Sequence, residues 1–193
     1  MAQIDRCSAT TAHAGELARL GWWRGLRAPI LGRLVFGSCR CTVLAMSLHV
    51  VPGNAPAIVY AGRPMEVLAG LGGDPAGFAV AELTVPTGFA GPPPHVHDVF
   101  DEGIYVLEGS LLVVGDGKPT EAGPGSLFLA PRGDRHAFSN PFGEPARVLG
   151  LWAPSAAAMA FMAAVGAVLP AEGAPDVEAL RSVYEAHGSH LVP

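Results

Sequence analysis

Lysine and charged residues in general are scarce in this sequence. Lys118 is the single lysine of the 193 residues, charged residues make up 15% of the chain, and the formal net charge is -5. A nucleic-acid partner is not expected, because neutralising phosphates needs a surplus of Lys and Arg. A polybasic membrane patch is absent for the same reason. No uncharged apolar run reaches the roughly 18 residues that a transmembrane helix needs.

Cysteine is confined to the start of the chain. Cys7, Cys39 and Cys41 all precede Met46, and the remaining sequence has none. A disulfide framework is therefore excluded for the main domain, and the cytoplasm is the expected compartment. Two cysteines separated by one residue also lack the spacing and the second ligand pair of a zinc site.

The same N-terminal stretch differs in charge from the rest. Residues 1–45 hold six arginines against two acidic residues, a net of +4, which leaves -9 for the remainder. Such a shift predicts a boundary near Met46. The stretch is interpreted as a dispensable extension, as an upstream region wrongly joined to a chain that starts at Met46, or as a targeting segment. A secretory signal would place its basic region at the very start, which disfavours the third reading.

The composition after this boundary predicts a β structure. Half of the residues are apolar, enough for a buried core, while 25 glycines and 18 prolines favour many tight turns. Short extended runs separated by turn residues are typical of a sandwich or barrel. They span residues 57–60, 65–69, 78–85, 104–107, 111–114, 126–130, 136–139 and 148–152. The short connection 108–110 has the pattern of a hairpin.

The last forty residues predict helices instead. The Ala- and Met-rich segment 155–169 follows Pro154, with Ser155 as the expected cap. A second helix is predicted over 176–186, ending at Gly188. The expected organisation is an extension over 1–45, a β-barrel over 46–154 and a helical segment over 155–193. The helices are expected to cover a barrel end or a dimer seam.

Histidine is the residue type that carries candidate chemistry. His95 and His97 are two apart, so on a strand both side chains point to one face. The pair alone fits a polar strand face as well as a metal site. Glu102 would face the other way by simple alternation, so the chain over 98–101 must bulge to bring it back. His136 follows a turn, and a non-local pairing would place it beside the pair. Three imidazoles and one carboxylate suit Fe, Mn, Ni, Co, Cu or Zn.

Two motifs give these residues a frame that resembles the cupin superfamily. The run HVHDVFDEGIYVLEG, from His95 to Gly109, matches the first cupin signature, H-x-H-x₄-E-x₆-G. The run GSLFLAPRGDRHAFSN, from Gly125 to Asn140, fills every fixed position of the second. One position departs: the Gly that should open the first signature is replaced by Phe89, with glycines close by on either side.

The resemblance implies a mainly β fold, a single cupin β-barrel (double-stranded β-helix or jelly roll). It implies one divalent transition metal ion held by His95, His97, Glu102 and His136. Asp101 is a rival ligand, but the family spacing favours Glu102. Conserved family glycines would occupy tight turns at Gly109, Gly125 and Gly133. Asn140 would hydrogen-bond a loop.

A pocket lining is predicted from alternation and aromatic character. Phe138 shares the face of His136, and one of Ile104 and Tyr105 faces the interior. The expected substrate-binding residues are Phe100, Tyr105, Phe138 and Trp152, each of which equally fits an ordinary barrel core. With few cations near the motifs, a neutral or aromatic ligand is favoured.

The layout looks like that of small bacterial quercetinase-type dioxygenases. This resemblance implies an oxidoreductase that uses O₂ on a small aromatic or enolic substrate, with Glu102 also acting as the catalytic base. The alternative is a non-redox cupin, either a small-molecule binding module or a metal-dependent isomerase, since one fold hosts many functions. A homodimer is expected from the resemblance.

Overall fold

The computed structural model describes residues 49–51, 53–71, 77–115, 117–170 and 175–192. The predicted extension over 1–45 lies outside these residues. The described residues form eleven strands and two helices. The strands are β1 Ala57–Tyr60, β2 Arg63–Ala69, β3 Ala79–Val85, β4 His95–His97, β5 Asp101–Glu108, β6 Leu111–Gly115, β7 Lys118–Ala122, β8 Leu127–Ala130, β9 His136–Ser139, β10 Ala146–Ala153 and β11 Ser189–Leu191. The helices are α1 Ser155–Val168 and α2 Val177–Ala186.

Two antiparallel sheets build the barrel. One has six strands in the order β1-β2-β3-β10-β5-β8, and the other has five in the order β11-β4-β9-β6-β7. Strand β10 lies centrally between β3 and β5, and its side chains alternate strictly between buried and half-buried. This period of two places one face of the strand in the core. The predicted mainly β jelly roll is confirmed.

The connection between β5 and β6 corrects one prediction. The two strands do not form a hairpin, because they belong to different sheets. Gly109 turns the chain from one sheet to the other with φ of 71°, and a Cβ there would lie 2.5 Å from the carbonyl oxygen of Pro145. Glycine is needed at this crossing for both its backbone conformation and its missing side chain.

Helix α1 lies over the sheet beside β1. It begins at Ser155, but Pro154 occupies the N-cap position and no side chain caps the helix, so the predicted Ser155 cap is wrong. A prolyl ring suits the entry because its fixed φ is compatible with a helix start. A Cβ on Gly166 would lie 1.9 Å from the carbonyl oxygen of Val59, so this glycine permits close packing of α1 on β1.

Helix α2 lies within the predicted range, and Asp176, predicted as its first residue, caps it instead. The Asp176 carboxylate accepts hydrogen bonds from the backbone amides of Glu178 and Ala179, at 3.0 and 3.2 Å. This satisfies two amides of the first turn. Leu180 and Tyr184 are the buried side chains of the helix. None of the helices in the described ranges has the length and hydropathy to cross a membrane.

The core divides into two clusters of buried side chains. The barrel cluster comprises Val85, Ile104, Val106, Leu111, Val113, Ala122, Phe138, Ala146 and Val148. The helix-side cluster contains residues of both helices and the strands beneath them. Its larger members are Tyr60, Met65, Phe100, Trp152, Met159, Phe161, Met162, Leu180 and Tyr184.

Two strands escaped sequence reasoning. Strand β7 is exposed on both faces along most of its length, so it carries no alternation. Strand β11 has three residues and follows a helix directly. Neither has the hydrophobic period by which a strand is recognised.

Candidate metal centre

Strand β4 positions the histidine pair. His95 and His97 are 3% and 2% exposed, while Val96 between them is half-buried on the other face. Their ring centroids lie 4.8 Å apart. The period of two therefore places both imidazoles in the interior.

His136 reaches the pair through the pairing of β4 with β9. It is the first residue of β9 and lies directly opposite His95, with ring centroids 4.3 Å apart. One antiparallel pairing thus brings together two histidines that are 41 positions apart in sequence. The predicted non-local pairing is present.

Glu102 joins the three imidazoles because the chain breaks between β4 and β5. Residues 98–100 belong to no strand, so the alternation restarts at Asp101 and the Glu102 side chain faces inward. Asp101 points away: its carboxylate accepts hydrogen bonds from Nε and Nη2 of Arg132, at 3.0 and 3.1 Å. The ion pair with Arg132 separates the rival carboxylate from the cluster.

The four side chains form a compact donor set. One ligand atom from each of His95, His97, Glu102 and His136 lies within 4.8 Å of the others. The Glu102 Oε2 atom is 3.0 Å from Nε2 of His97 and 3.6 Å from Nε2 of His136. Three nitrogens and a carboxylate oxygen at such spacing can hold one divalent transition metal ion.

The outer nitrogens of the imidazoles are held by hydrogen bonds. Nδ1 of His95 donates to the carbonyl oxygen of Pro93 at 2.9 Å, and Nδ1 of His136 donates to that of Asp134 at 3.0 Å. A carbonyl oxygen only accepts, so Nδ1 carries the proton and Nε2 faces the cluster. Nδ1 of His97 lies 2.8 Å from the hydroxyl of Ser189.

One orphaned nitrogen supports the fit of a metal. Nε2 of His136 is fully buried and has no hydrogen-bond partner among the described residues. A buried polar atom without a partner is costly. A metal ion bound by this donor set would satisfy that nitrogen.

Burial and mutual contact set the protonation of the cluster. Burial, together with the neighbouring imidazoles, lowers the pKa of His95 to about 3, which leaves a neutral ligand. Burial alone would raise the pKa of Glu102, but its interactions with His136 and His97 outweigh burial and hold it well below its usual range. For His136, burial lowers the pKa, yet the Glu102 carboxylate dominates and raises it. Glu102 is thus an ionised carboxylate and His95 a neutral imidazole, the forms in which both can bind a metal.

An apolar cavity adjoins the donor set. Glu102 and His95 form part of its wall, and most of the remaining lining is apolar or aromatic. The cavity has a free volume of about 30 Å³, room for roughly two water molecules. Helix α1 supplies Phe161 to the lining and α2 supplies Tyr184, so the helices close the barrel end at which the donor set lies.

The predicted substrate-binding residues fall into two groups. Phe138 and Trp152 line the cavity. Phe100 instead stacks on the His97 ring, with ring centroids 4.2 Å apart, and does not form part of the cavity wall. Tyr105 is half-buried on the opposite face of β5, and Ile104 faces the cavity in its place. Of the two alternatives left open by alternation, the inward residue is Ile104.

Sequence reasoning missed two phenols. Tyr60 lies at the end of β1 and Tyr184 lies in α2, yet both line the cavity. Burial raises the pKa of each, and the Glu102 charge adds to the shift, so both hydroxyls stay protonated. The only signal for Tyr184 was its place on the apolar face of a predicted helix.

Trp152 holds the second orphaned polar atom. Its Nε1 is buried without a hydrogen-bond partner among the described residues. Trp152 lies beside Glu102 across the β10–β5 pairing, and its six-membered ring lies over Gly150, where a Cβ would be only 2.1 Å from the ring. Glycine at position 150 leaves room for the indole.

The second motif also has a clear structural role. The Asn140 side chain donates to the carbonyl oxygens of Val85 and Glu144, at 3.1 and 2.9 Å, and accepts from the amide of Phe142 at 3.1 Å. Gly125 and Gly133 have φ of 85° and 83°. The expected roles of these residues in turns and loops agree with the structure.

Comparison with known proteins identifies the domain. The Cupin domain family model matches residues 81–153. No curated protein sequence matches the chain. Among solved structures, the polyketide cyclase RemF from Streptomyces resistomycificus is 29% identical over 56% of this chain and 80% of its own, with a TM-score of 0.47.

Two further solved structures are similar over about half of the chain. The DMSP lyase DddQ from Ruegeria pomeroyi DSS-3 is 28% identical, over 46% of this chain and 45% of its own, with a TM-score of 0.40. An RmlC-like cupin from Shewanella frigidimarina NCIMB 400 is 17% identical, over 57% and 94%, with a TM-score of 0.47. The domain match, the two motifs and the jelly-roll topology together show that residues 81–153 of this chain form a cupin domain.

Proposed function

We propose that the protein is a metal-dependent oxidoreductase of the dioxygenase type, acting on a small aromatic or enolic substrate with O₂. One divalent transition metal ion, Fe, Mn, Ni, Co, Cu or Zn, would be held by His95, His97, Glu102 and His136. The observation that carries the proposal is the buried donor set in the wall of an apolar cavity. A concave apolar site with few convergent polar groups is typical of small-molecule binding.

A bound metal ion supplies Lewis acidity toward a substrate oxygen. The residues of the chain supply the rest. Glu102 is a buried carboxylate in the cavity wall and is proposed as the base that takes the proton of an enol or phenol. The unpartnered Nε1–H of Trp152 is a donor for a substrate acceptor oxygen.

The cavity limits the substrate. Among the described residues that line it, none is Lys or Arg, which favours a neutral ligand. Its free volume of about 30 Å³ is far below that of an aromatic ring. An aromatic substrate therefore requires side chains of the two helices to move, whereas a compact enol needs less displacement. Phe138 and Trp152 are the proposed substrate contacts, and Tyr105 and Phe100 are not retained as direct contacts.

A non-redox metal-dependent isomerase is the second candidate. Glu102 and two protonated phenols, Tyr60 and Tyr184, line one cavity, which is an arrangement of a base and two acids. Proton transfer between substrate carbons needs such groups and no O₂. A binding module without turnover would need neither these proton-transfer groups nor O₂. The expected homodimer and cytoplasmic location remain proposals from the resemblance and the composition.

Oxygen uptake distinguishes these candidates. The protein is reconstituted separately with each of the six metals and mixed with a panel of flavonols and small enolic diketones. We expect O₂ consumption with at least one of these metals. His97→Ala, which removes a ligand, should consume none, and His49→Ala, an exposed histidine outside the cluster, should match the unmodified protein.

Absence of uptake with every metal and substrate would remove the dioxygenase proposal. Deuterium incorporation or isomerisation of the same diketones under anaerobic conditions would then favour the isomerase. Binding that alters the melting temperature without any turnover would favour the binding module.

A further inference from the structure

The C-terminal segment, residues 188–192, returns to the barrel beside the histidine pair. Strand β11 within it pairs antiparallel with β4, so Ser189 lies opposite His97 and Leu191 lies opposite His95. Two backbone bonds flank the pairing: the amide of Asp98 donates to Gly188 at 2.9 Å, and the amide of Val192 donates to Pro94 at 2.9 Å. Without this segment, β4 would be the open edge of its sheet.

Ser189 brings a polar group to a ligand from far along the chain. The residue is fully buried, and its Oγ lies 2.8 Å from Nδ1 of His97, a separation of 92 positions in sequence. The corresponding partners of His95 and His136 are backbone carbonyls only two residues away. Of the three imidazoles, His97 alone is oriented by a distant side chain.

The hydroxyl suits His97 for a chemical reason. Nε2 of His97 lies 3.0 Å from the Glu102 carboxylate, so in the absence of a cation Nε2–H donates to Glu102 and Nδ1 accepts from Ser189. With a metal on Nε2, the proton must be on Nδ1, and the hydroxyl must accept. A serine hydroxyl can do both, whereas a carbonyl oxygen cannot donate.

Helix α2, which precedes the C-terminal segment, adds a second contact with the histidine pair. The Tyr184 ring packs edge-on against His95, with centroids 5.3 Å apart, and stacks at 6.3 Å from His97. Helix α2 and the C-terminal segment therefore contact both ligands of β4.

We propose that the C-terminal segment is a positioning element of the metal site, with Ser189 as the positioning residue of His97. This inference rests on the proposed metal binding. Because Ser189 completes the ligand orientation, metal binding and docking of the segment stabilise each other. Loss of a group that orients a ligand typically weakens metal affinity about 10- to 100-fold.

The test measures Zn²⁺ affinity of the full chain by competition with a chelator. Ser189→Ala should bind Zn²⁺ about 10- to 100-fold more weakly than the unmodified protein while keeping its circular dichroism spectrum. The matched control is Ser110→Ala, which removes an exposed hydroxyl outside the C-terminal segment and the donor set, where Ser110 donates to Glu121 at 3.0 Å. The Zn²⁺ affinity of this control should change by less than about threefold, well below that range.

A second readout separates positioning from general stability. Hydrogen exchange at the amides of Asp98 and Val192 should slow when Zn²⁺ is added to the unmodified protein, because both amides donate across this pairing. The slowing should be smaller in Ser189→Ala. If that variant does not fold, the effect of Zn²⁺ on exchange of the two amides in the unmodified protein still tests the role of the C-terminal segment.

The outcomes distinguish the two proposals. An unmodified protein that binds none of the six metals would contradict the proposed function itself. Metal binding that is equal in Ser189→Ala, or that leaves exchange of the two amides unchanged, would overturn the role of the C-terminal segment while the metal site stands.

Discussion

The barrel cluster and the helix-side cluster are cores of the same domain with different chemistry. The barrel cluster is built almost entirely of aliphatic side chains from strands. The helix-side cluster gathers aromatic rings and methionines, and Phe100, Phe161 and Tyr184 contact the imidazole of His97 within it. The barrel cluster contributes Ile104, Phe138 and Val148 to the cavity wall, whereas the helix-side cluster also surrounds the buried donor set.

The two clusters differ in the free-energy cost of what they bury. Burying apolar surface is favourable in itself. Burying three imidazoles and a carboxylate is costly unless each polar atom has a partner. The carbonyl and hydroxyl partners offset part of that cost, but Nε2 of His136 and Nε1 of Trp152 remain unpartnered within the described residues. Trp152 belongs to the helix-side cluster, and the His136 ring lies against those of His95 and His97, where a metal would bind.

Among the variants that test this comparison, removal of a metal ligand should have the largest effect, which is loss of the bound metal. His97→Ala takes away one of four donors, so we expect stoichiometric metal to be lost after dialysis, as measured by elemental analysis. His49→Ala is the control and should retain one metal per chain. Retention of metal by His97→Ala would show that the ligand set is different.

Truncation in the barrel cluster should act on stability alone. Leu111 is completely buried there, so Leu111→Ala should lower the free energy of unfolding by about 2–5 kcal/mol, through lost transfer energy and a cavity. Denaturant titration measures the change, and the metal content of the folded variant should be unchanged.

The control for this truncation is an exposed leucine. Leu127 is 59% exposed, so Leu127→Ala should change stability by less than about 0.5 kcal/mol. If folded Leu111→Ala lost its metal, the two clusters would be coupled rather than separate.

The smallest effect is expected on the outer surface of the barrel. Arg147 donates to Glu82 at 2.9 Å and to Glu108 at 2.6 Å across three adjacent strands. These groups are largely exposed, and exposed ion pairs contribute little. Arg147→Ala should therefore lower the melting temperature only slightly and leave metal binding unchanged.

The pH dependence of this variant has a definite sign. Hydrogen bonding from Arg147 lowers the pKa of Glu108 in the folded protein. The stabilisation is thus present above the unfolded carboxyl pKa and is lost as the pH falls through the lower folded value. Melting curves of Arg147→Ala and the unmodified protein should converge in acid. A difference that grows on acidification would contradict this assignment.

Local patterns predicted much of the fold. Alternating burial in β9 and β10 and the apolar face of α2 follow from periods of two and 3.6. The pairing of strands was harder to predict from the sequence. The connection 108–110 has the composition of a hairpin turn, yet it joins two different sheets. Which strand accepts a neighbour depends on packing that no short window contains.

The donor set was the most predictable part of the site. His95 and His97 share a face because their spacing is two, and the break at 98–100 that returns Glu102 to that face could be required from its odd offset. The choice between Ile104 and Tyr105 needed the phase of β5, which the same break resets. Tyr60 had no local signal and Tyr184 only its place on the apolar face of a helix, because both reach the cavity through long-range packing.

By itself the sequence predicted short strands and the helical C-terminal region from local hydrophobic patterns. The four candidate donors and the jelly roll were implied by two motifs that resemble those of the cupin superfamily. The tertiary structure decided which side chains surround the donors: Trp152 over Gly150, the two phenols, and Ser189 against His97 across 92 positions. These contacts depend on sheet order and helix docking, and both arise only when distant segments bury their surfaces together.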